Sequence, residues 1–146
     1  MIKENLSCDS DLVETGYWPI LITHSIPSMT EEKLTRQLEI CGRLYVERQE
    51  PYVLVVDART GRRPDAIERK ILNDFRAEHQ GHIHRFCRGI AFVFSSELLR
   101  GVLTAMYWVR KPSTETKVFT DYETALNWGA EQLGIPAPAR RISQSA

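Results

Sequence analysis

Two apolar runs, YVLVVDAR at residues 52–59 and GIAFVF at residues 89–94, constrain the fold of this chain most strongly. Both are rich in β-branched or aromatic residues, and neither alternates between apolar and polar side chains over most of its length. Such a composition is typical of strands in the middle of a sheet that is covered on both faces. The rest of the chain must therefore supply cover for two faces of one sheet.

Strand-like and helix-like segments alternate along the chain. Two further strands are predicted at residues 17–26 and 116–120, and helical periodicity occurs at residues 28–49, after Pro64, at residues 96–110 and at residues 120–134. The predicted core positions of three of these helices are Leu34, Leu38, Cys41 and Tyr45; Ile67, Ile71, Leu72 and Phe75; and Tyr122, Leu126, Gly129 and Leu133. Cap motifs are predicted at Ser28/Glu31, Asp65/Glu68 and Thr120/Glu123.

This alternation predicts an α/β fold with a four- or five-stranded, mainly parallel sheet covered by about four helices. Residues 5–16 could add an antiparallel strand, which would make the sheet mixed at the edge. We expect one domain over residues 1–135 and a flexible C-terminal tail at residues 136–146.

The charge balance and the cysteines narrow the possible classes of protein. The 146 residues contain 19 basic and 19 acidic side chains, so we expect no nucleic-acid partner. Cys8, Cys41 and Cys87 are odd in number and widely spaced, which fits a reducing compartment better than a disulfide framework. The N-terminal residues lack the apolar run of a signal peptide, and no stretch is apolar enough to span a membrane. A cytoplasmic location is the resulting expectation.

The last two strand–helix units and the central strand resemble a known superfamily. A short strand ending in Val118 and Phe119, followed by a helix that contains Glu123, Ala125 and Trp128, resembles the bacterial SpoIIAA-like part of the STAS superfamily. The stretch YVLVVDAR resembles the superfamily's central strand ending in an acid, and the similarity spans roughly residues 15–134.

The resemblance implies a non-enzymatic protein-interaction or regulatory module, with small-ligand carriers or sensors as the alternative. In one branch of the superfamily, phosphorylation of a serine that follows an aspartate switches partner binding. Here Asp65 is followed by Ala66, and Thr60 lies earlier in the same loop, outside the motif. The sequence therefore lacks the hydroxyl that the switch requires.

The loop after the central strand is the candidate ligand site. It would use Asp57, Thr60, Arg62 and Arg63, because ligands of open α/β sheets bind at the carboxyl ends of strands and helix N-termini attract anions. Such a site would suit a small apolar or anionic ligand. The alternative is that the arginines are solvated and that Asp57 caps the loop.

The segment EHQGHIHRFC contains the weak metal-ligand candidates His79, His82, His84 and Cys87. Imidazole and thiolate suit zinc, but the spacing matches no closed zinc motif. Ser95 and Ser96 lack the glycine neighbours of a nucleophile elbow. The sequence accordingly predicts no cofactor and no enzyme, and a small metal-dependent enzyme is the least favoured alternative.

The predicted helix at residues 96–110 carries a second stripe beside its apolar face. Aromatic bodies around charged anchors are typical of interface hot spots. Two-fold dimers are the most frequent soluble oligomers, so a homodimer is the simplest partner, although another protein would also fit. The residues of this candidate interface are Arg100, Thr104, Tyr107, Trp108 and Lys111.

Overall fold

The computed structural model describes residues 11–96 and 114–137. Within them the strands are β1 (Val13–Glu14), β2 (Ile20–His24), β3 (Tyr52–Ala58), β4 (Cys87–Phe94) and β5 (Thr116–Phe119). The helices are α1 (Glu31–Glu47), α2 (Ala66–Glu78), α3 (Gln80–Phe86) and α4 (Tyr122–Leu133). The strands form one sheet in the order β1-β2-β3-β4-β5. β1 is antiparallel to β2 and every other pair is parallel, so the predicted α/β fold with a mixed edge is confirmed.

Helices cover both faces of the sheet, as the apolar strands require. On one face, Val53 and Val55 of β3 pack with Ala125, Leu126 and neighbouring residues of α4. On the other face, the side chains of Leu21 and Tyr52 pack with residues of α1, and the partly buried side chains of α2 and α3 join this core. The two faces follow from the period of two along each strand, which sends successive side chains to opposite sides.

The starts of three helices test the predicted caps. Asp65 and Glu68 form the predicted capping box at the start of α2. The other two predictions are wrong: Thr30, not Ser28, caps α1, and Asp121, not Thr120, caps α4. In both helices the cap is the residue directly before the first helical residue. Its side-chain oxygen accepts the backbone N–H of the residue three positions further along the chain, as an N-cap requires.

The buried face of α2 differs from the prediction. Ile67 was expected in the core, but 57% of its surface is exposed. Glu68 is instead the buried residue of this helix, and only 3% of its surface is exposed. The reason is local, because the Glu68 carboxylate turns back to bind both the start of its own helix and the Arg62 guanidinium.

Among the described residues, no helix is both long enough and apolar enough to cross a bilayer.

Candidate functional site: a histidine between two carboxylates

The carboxyl ends of β2 and β3 bring His24 and Asp57 together. These residues are register partners in the parallel pair of strands, and each lies at or next to the end of its strand. They continue the rows of Ile20/Ile22 and Val53/Val55, so their side chains lie on the face that α4 covers. Parallel pairing therefore places an imidazole and a carboxylate side by side at the edge where open α/β sheets bind ligands.

The Asp57 carboxylate accepts hydrogen bonds from two side chains. His24 Nδ1 lies 2.9 Å from Asp57 Oδ2. Arg59 binds the same carboxylate in a two-pronged arrangement, with Nε 2.8 Å from Oδ1 and Nη2 3.0 Å from Oδ2. The Arg59 backbone N–H also donates to Oδ1, at 3.3 Å. Bidentate, charge-assisted pairs of this kind are among the stronger hydrogen bonds in proteins.

Glu14 completes the cluster from the edge strand. Its Oε1 atom lies 3.0 Å from His24 Nε2, so each ring nitrogen of His24 faces a carboxylate oxygen. The side chain of Asp57 is 10% exposed, that of His24 19% and that of Glu14 35%. The cluster thus runs from an almost buried acid, through the imidazole, to an acid at the surface.

The pKa values of His24 and Asp57 move apart, as expected for an ion pair. The hydrogen bond to Asp57 raises the pKa of His24 above its usual 6.5; burial opposes this rise and Glu14 adds to it. Burial by itself would raise the pKa of Asp57, but hydrogen bonds from His24 and Arg59 outweigh it and hold that pKa far below its usual value. The arrangement therefore favours an imidazolium between two carboxylates.

The start of α4 packs against the same cluster. The Arg59 guanidinium carbon lies 4.5 Å from the ring centroid of Tyr122, a cation–π contact. Burial raises the pKa of the Tyr122 hydroxyl, and the nearby Glu14 and Asp57 carboxylates raise it further. Tyr122 is therefore a neutral phenol that contributes its ring to Arg59.

We call this group the His24 cluster; its members are Glu14, His24, Asp57, Arg59 and Tyr122. Its charged side chains use one another as hydrogen-bond partners. A general base needs a free lone pair near a substrate, but both His24 nitrogens face carboxylates and both Asp57 oxygens accept donors. In residues 11–96 and 114–137, no group of three or more His, Cys, Asp or Glu side chains could hold a metal ion. The cluster is suited to holding β1, β2, β3 and α4 together at one edge.

The structure places Asp57 and Arg62, two of the four predicted ligand residues, in different ion pairs. Asp57 belongs to the His24 cluster, whereas Arg62 binds Glu68, with Nη1 2.6 Å from Oε1, and donates to the Met29 carbonyl oxygen at 2.8 Å. Thr60 and Arg63 are exposed in the connecting loop. At the start of α2, the Asp65 carboxylate accepts the Glu68 N–H and Glu68 accepts the Asp65 N–H, so these helix-terminal donors are already used.

The weak metal candidates do not lie together. Two of them, His79 and His82, belong to an aromatic cluster that also contains Tyr45, Tyr52 and Phe75. Because α3 is helical, His82 and His84 do not share a side in the way an extended segment would require. His82 stacks on Tyr45, with ring centroids 4.6 Å apart, and His79 lies 4.4 Å from Phe75. His84 is exposed, and the buried Cys87 thiol donates to the Gly89 carbonyl oxygen at 3.3 Å. Burial, followed by the charge of His79, lowers the pKa of His82, which favours its neutral form.

One buried polar atom of this aromatic cluster gives a direct test of its packing. The Tyr52 hydroxyl makes no hydrogen bond of normal geometry among the described residues, although the residue is fully buried and its hydroxyl lies near the Tyr45 hydroxyl and the Cys87 thiol. Removing an unpaired buried hydroxyl is nearly neutral or stabilising. We therefore expect Tyr52→Phe to lower the free energy of unfolding by less than about 0.5 kcal/mol, or to raise it, in urea denaturation.

Thr30→Ala is the control for that substitution, because the Thr30 hydroxyl accepts the Lys33 N–H at 3.1 Å as the cap of α1. It should cost about 1 kcal/mol. A loss above about 1 kcal/mol for Tyr52→Phe would mean that its hydroxyl has a partner, and would contradict this packing.

The predicted interface residues Arg100, Thr104, Tyr107, Trp108 and Lys111 lie outside the described residues. That interface stays a prediction.

Comparisons with known proteins identify the fold. No family model and no curated protein matches the sequence. A crystal structure of an uncharacterised protein of the DUF3478 family from Shewanella loihica PV-4, with a SpoIIAA-like fold, superposes on this chain with a TM-score of 0.60. The two chains are 16% identical, and the match covers 80% of this chain and 90% of the other. The fold is SpoIIAA-like. The predicted resemblance is therefore confirmed at the level of fold.

Most of the residues of the His24 cluster were not predicted as functional. Asp57 was expected, whereas Glu14, His24, Arg59 and Tyr122 were not. The SpoIIAA-like sheet brings these residues from four separate segments to one edge. A usable signal was present, because His24 and Asp57 both occur where a predicted strand ends and such ends meet at one edge of a parallel sheet.

Proposed function

We propose that this chain is a regulatory or protein-interaction module of the SpoIIAA-like type and that it does not act as an enzyme. The observation that carries the proposal is the mutual satisfaction of charges in the His24 cluster. His24 and Asp57, whose pKa values are both shifted, bind each other, and Asp57 also binds Arg59. A general base needs a lone pair within reach of a substrate proton, and here a carboxylate oxygen faces each ring nitrogen of His24.

The described cysteines support the same proposal. Cys41 and Cys87 are buried free thiols. Burial raises the pKa of Cys41 to about 12, and it also raises the pKa of Cys87. The thiolate is the nucleophilic form of cysteine, so both side chains are unreactive near neutral pH. Their free state also fits the reducing compartment in which we propose that the protein acts.

We propose in addition that the module self-associates through the stripe formed by Arg100, Thr104, Tyr107, Trp108 and Lys111. β4 and β5 are parallel neighbours, and parallel strands are in general joined by a crossover connection, usually a helix. The crossovers that the structure describes run through α1 and through α2 and α3 on one face of the sheet, and the right-handed rule favours that face for a further crossover in the same direction. On that face the apolar side chains Leu54, Val56, Ile90 and Phe92 are only half-buried. A helix covering them would use its apolar side and present the Tyr/Trp/Arg stripe outward.

Light scattering coupled to size-exclusion chromatography, over a tenfold concentration range, tests self-association. We expect the wild-type chain to be a dimer and Trp108→Glu to be a folded monomer, because a charge at the centre of an apolar interface is strongly unfavourable. Val46→Glu is the matched control: Val46 is 71% exposed near the end of α1, and the variant should remain a dimer.

Two results would contradict this assignment. A wild-type monomer throughout the concentration range would exclude self-association. A Trp108→Glu variant that loses its far-ultraviolet circular dichroism, while Val46→Glu keeps its own, would place Trp108 in the core and not at an interface.

A further inference from the structure

His24 connects Glu14 of the edge strand β1 to Asp57 of β3, and both hydrogen bonds depend on the protonation state of the imidazole. A neutral imidazole has one N–H donor and one lone pair, whereas the imidazolium has two donors. In the structure His24 has a carboxylate oxygen at both nitrogens, 2.9 Å from Nδ1 and 3.0 Å from Nε2. Only the imidazolium can donate to both acids at once, and a neutral ring must direct a lone pair at one of them.

The two acids differ in what holds them. Asp57 is nearly buried and also binds Arg59, so the remaining proton of a neutral His24 would stay on Nδ1, where it donates to Asp57. Glu14 has more exposure to water, and its carboxylate faces His24 from the two-residue strand β1. The Glu14 contact is therefore the one that is lost when the proton leaves.

We infer that His24 acts as a proton-dependent latch that fastens the Glu14 end of β1 to the sheet and releases it when the imidazole becomes neutral. β1 covers the outer edge of β2 opposite Ile22 and Thr23. Release would leave this edge of the SpoIIAA-like sheet unpaired at those positions. The latch is a property of the fold and does not depend on self-association.

The other groups around His24 fix the direction of the effect. Arg59, from the loop after β3, faces Asp57 and favours its ionised form. Asp121 and Tyr122 face Arg59 from the start of α4 and lie beyond it, and Tyr17 lies near Tyr122 from the turn before β2. The two closest groups to the imidazole are both acids, so the protonated form is favoured and the pKa of His24 is raised.

The direction of the pH dependence follows from the difference between the pKa of His24 in the folded and the unfolded state. Because the pKa of His24 is higher in the folded state than the unfolded value of 6.5, the latch contributes fully below pH 6.5 and is lost as pH rises through the folded pKa. Release therefore occurs on the alkaline side. Leu12 remains held at all pH values, because the Gln37 side-chain amide donates to its carbonyl oxygen at 3.0 Å. The change is confined to the Glu14 end.

Nuclear magnetic resonance tests the latch through two quantities measured on wild type and Glu14→Gln. One is the pKa of His24, followed by its ring C–H shift; the other is the set of amide protection factors of Glu14 and Ile22, the register partners at the Glu14 end of the β1–β2 pair. The His24 N–H, which donates to Leu12 O at 2.9 Å at the end that stays held, is the internal reference. Protection in wild type should exceed that in the variant by about three- to fivefold while His24 is protonated, as expected for a partly exposed ion pair. The ratio should fall to about one once His24 is neutral.

The control is Asp11→Asn, which removes an exposed carboxylate near β1 that does not contact His24 and should match wild type. A ratio that stays at one in acid, a ratio that ignores the titration of His24, or an unchanged His24 pKa in Glu14→Gln would each overturn the latch. If Glu14→Gln fails to fold, Glu14→Asp replaces it, since its shorter side chain retracts the carboxylate from Nε2.

Discussion

Trp128→Ala is expected to lower the free energy of unfolding by about 3–5 kcal/mol, the usual cost of truncating a buried aromatic side chain. Only 8% of Trp128 is exposed, and its ring lies 5.7 Å from that of Phe119 in the core between the sheet and α4. Removing the indole would leave a cavity against the central strands. Urea denaturation followed by circular dichroism measures the change, provided that the slope of the transition stays as in wild type.

The Trp128 ring also packs directly against Gly89 in β4. A Cβ atom placed on Gly89 would lie 2.7 Å from the Trp128 Cη2 atom, so Gly89→Ala should cost about 1–3 kcal/mol by overpacking. That cost should largely disappear in the Trp128→Ala background, where the indole is absent. Ile67→Ala, at a site 57% exposed, is the control and should change stability by no more than about 0.5 kcal/mol. A cost below about 1 kcal/mol for Trp128→Ala would contradict this packing.

The layered fold could be predicted from the sequence because its determinants are local. The runs at residues 52–59 and 89–94 indicate strands buried on both faces, and the periodic segments between them indicate helices. Even the antiparallel edge was anticipated in residues 5–16, where β1 forms at Val13–Glu14. Such features follow from the period of apolar residues along each segment and require little knowledge of contacts between distant segments.

Prediction was wrong where two local choices compete. At residues 28–31 and 120–123, neighbouring side chains can each act as a cap, and the choice depends on where the chain enters the helix. On α2, a count of apolar residues favoured Ile67 over Glu68. Glu68 becomes buried because Arg62 neutralises it, a pairing across a loop that periodicity does not report.

The His24 cluster could be predicted only in part because it depends on register. Asp57 is visible as the acid that ends a buried strand. Its pairing with His24 requires the alignment of β2 with β3, and the contact with Glu14 requires the edge strand to be antiparallel. The role of Gly61 is similarly hidden, because the glycine is needed where the loop after β3 approaches the Ser25 backbone: a Cβ atom there would lie 2.8 Å from Ser25 O.

Asp57→Ala is expected to lower the free energy of unfolding by about 2–3 kcal/mol near pH 6, because it leaves the partly buried charges of His24 and Arg59 without their shared partner. The expected cost is smaller than for a fully buried pair, since 44% of the Arg59 side chain is exposed and water can solvate it. The hydrogen bond to Asp57 is the largest cause that raises the pKa of His24, and burial lowers it. The pKa of His24 should therefore fall in the variant.

The pH dependence separates this cost from a general loss of packing. In wild type, the attraction between His24 and Asp57 stabilises the fold below pH 6.5 and fades as His24 loses its proton above that pH. The penalty of Asp57→Ala should therefore be larger at pH 6 than at pH 9, while a pure cavity effect would be equal at both. Asp74→Ala breaks an exposed pair with Lys70, 2.7 Å apart, and should cost no more than about 0.5 kcal/mol at either pH. A penalty for Asp57→Ala that equals that of Asp74→Ala would mean that the His24 cluster adds no stability beyond an ordinary surface ion pair.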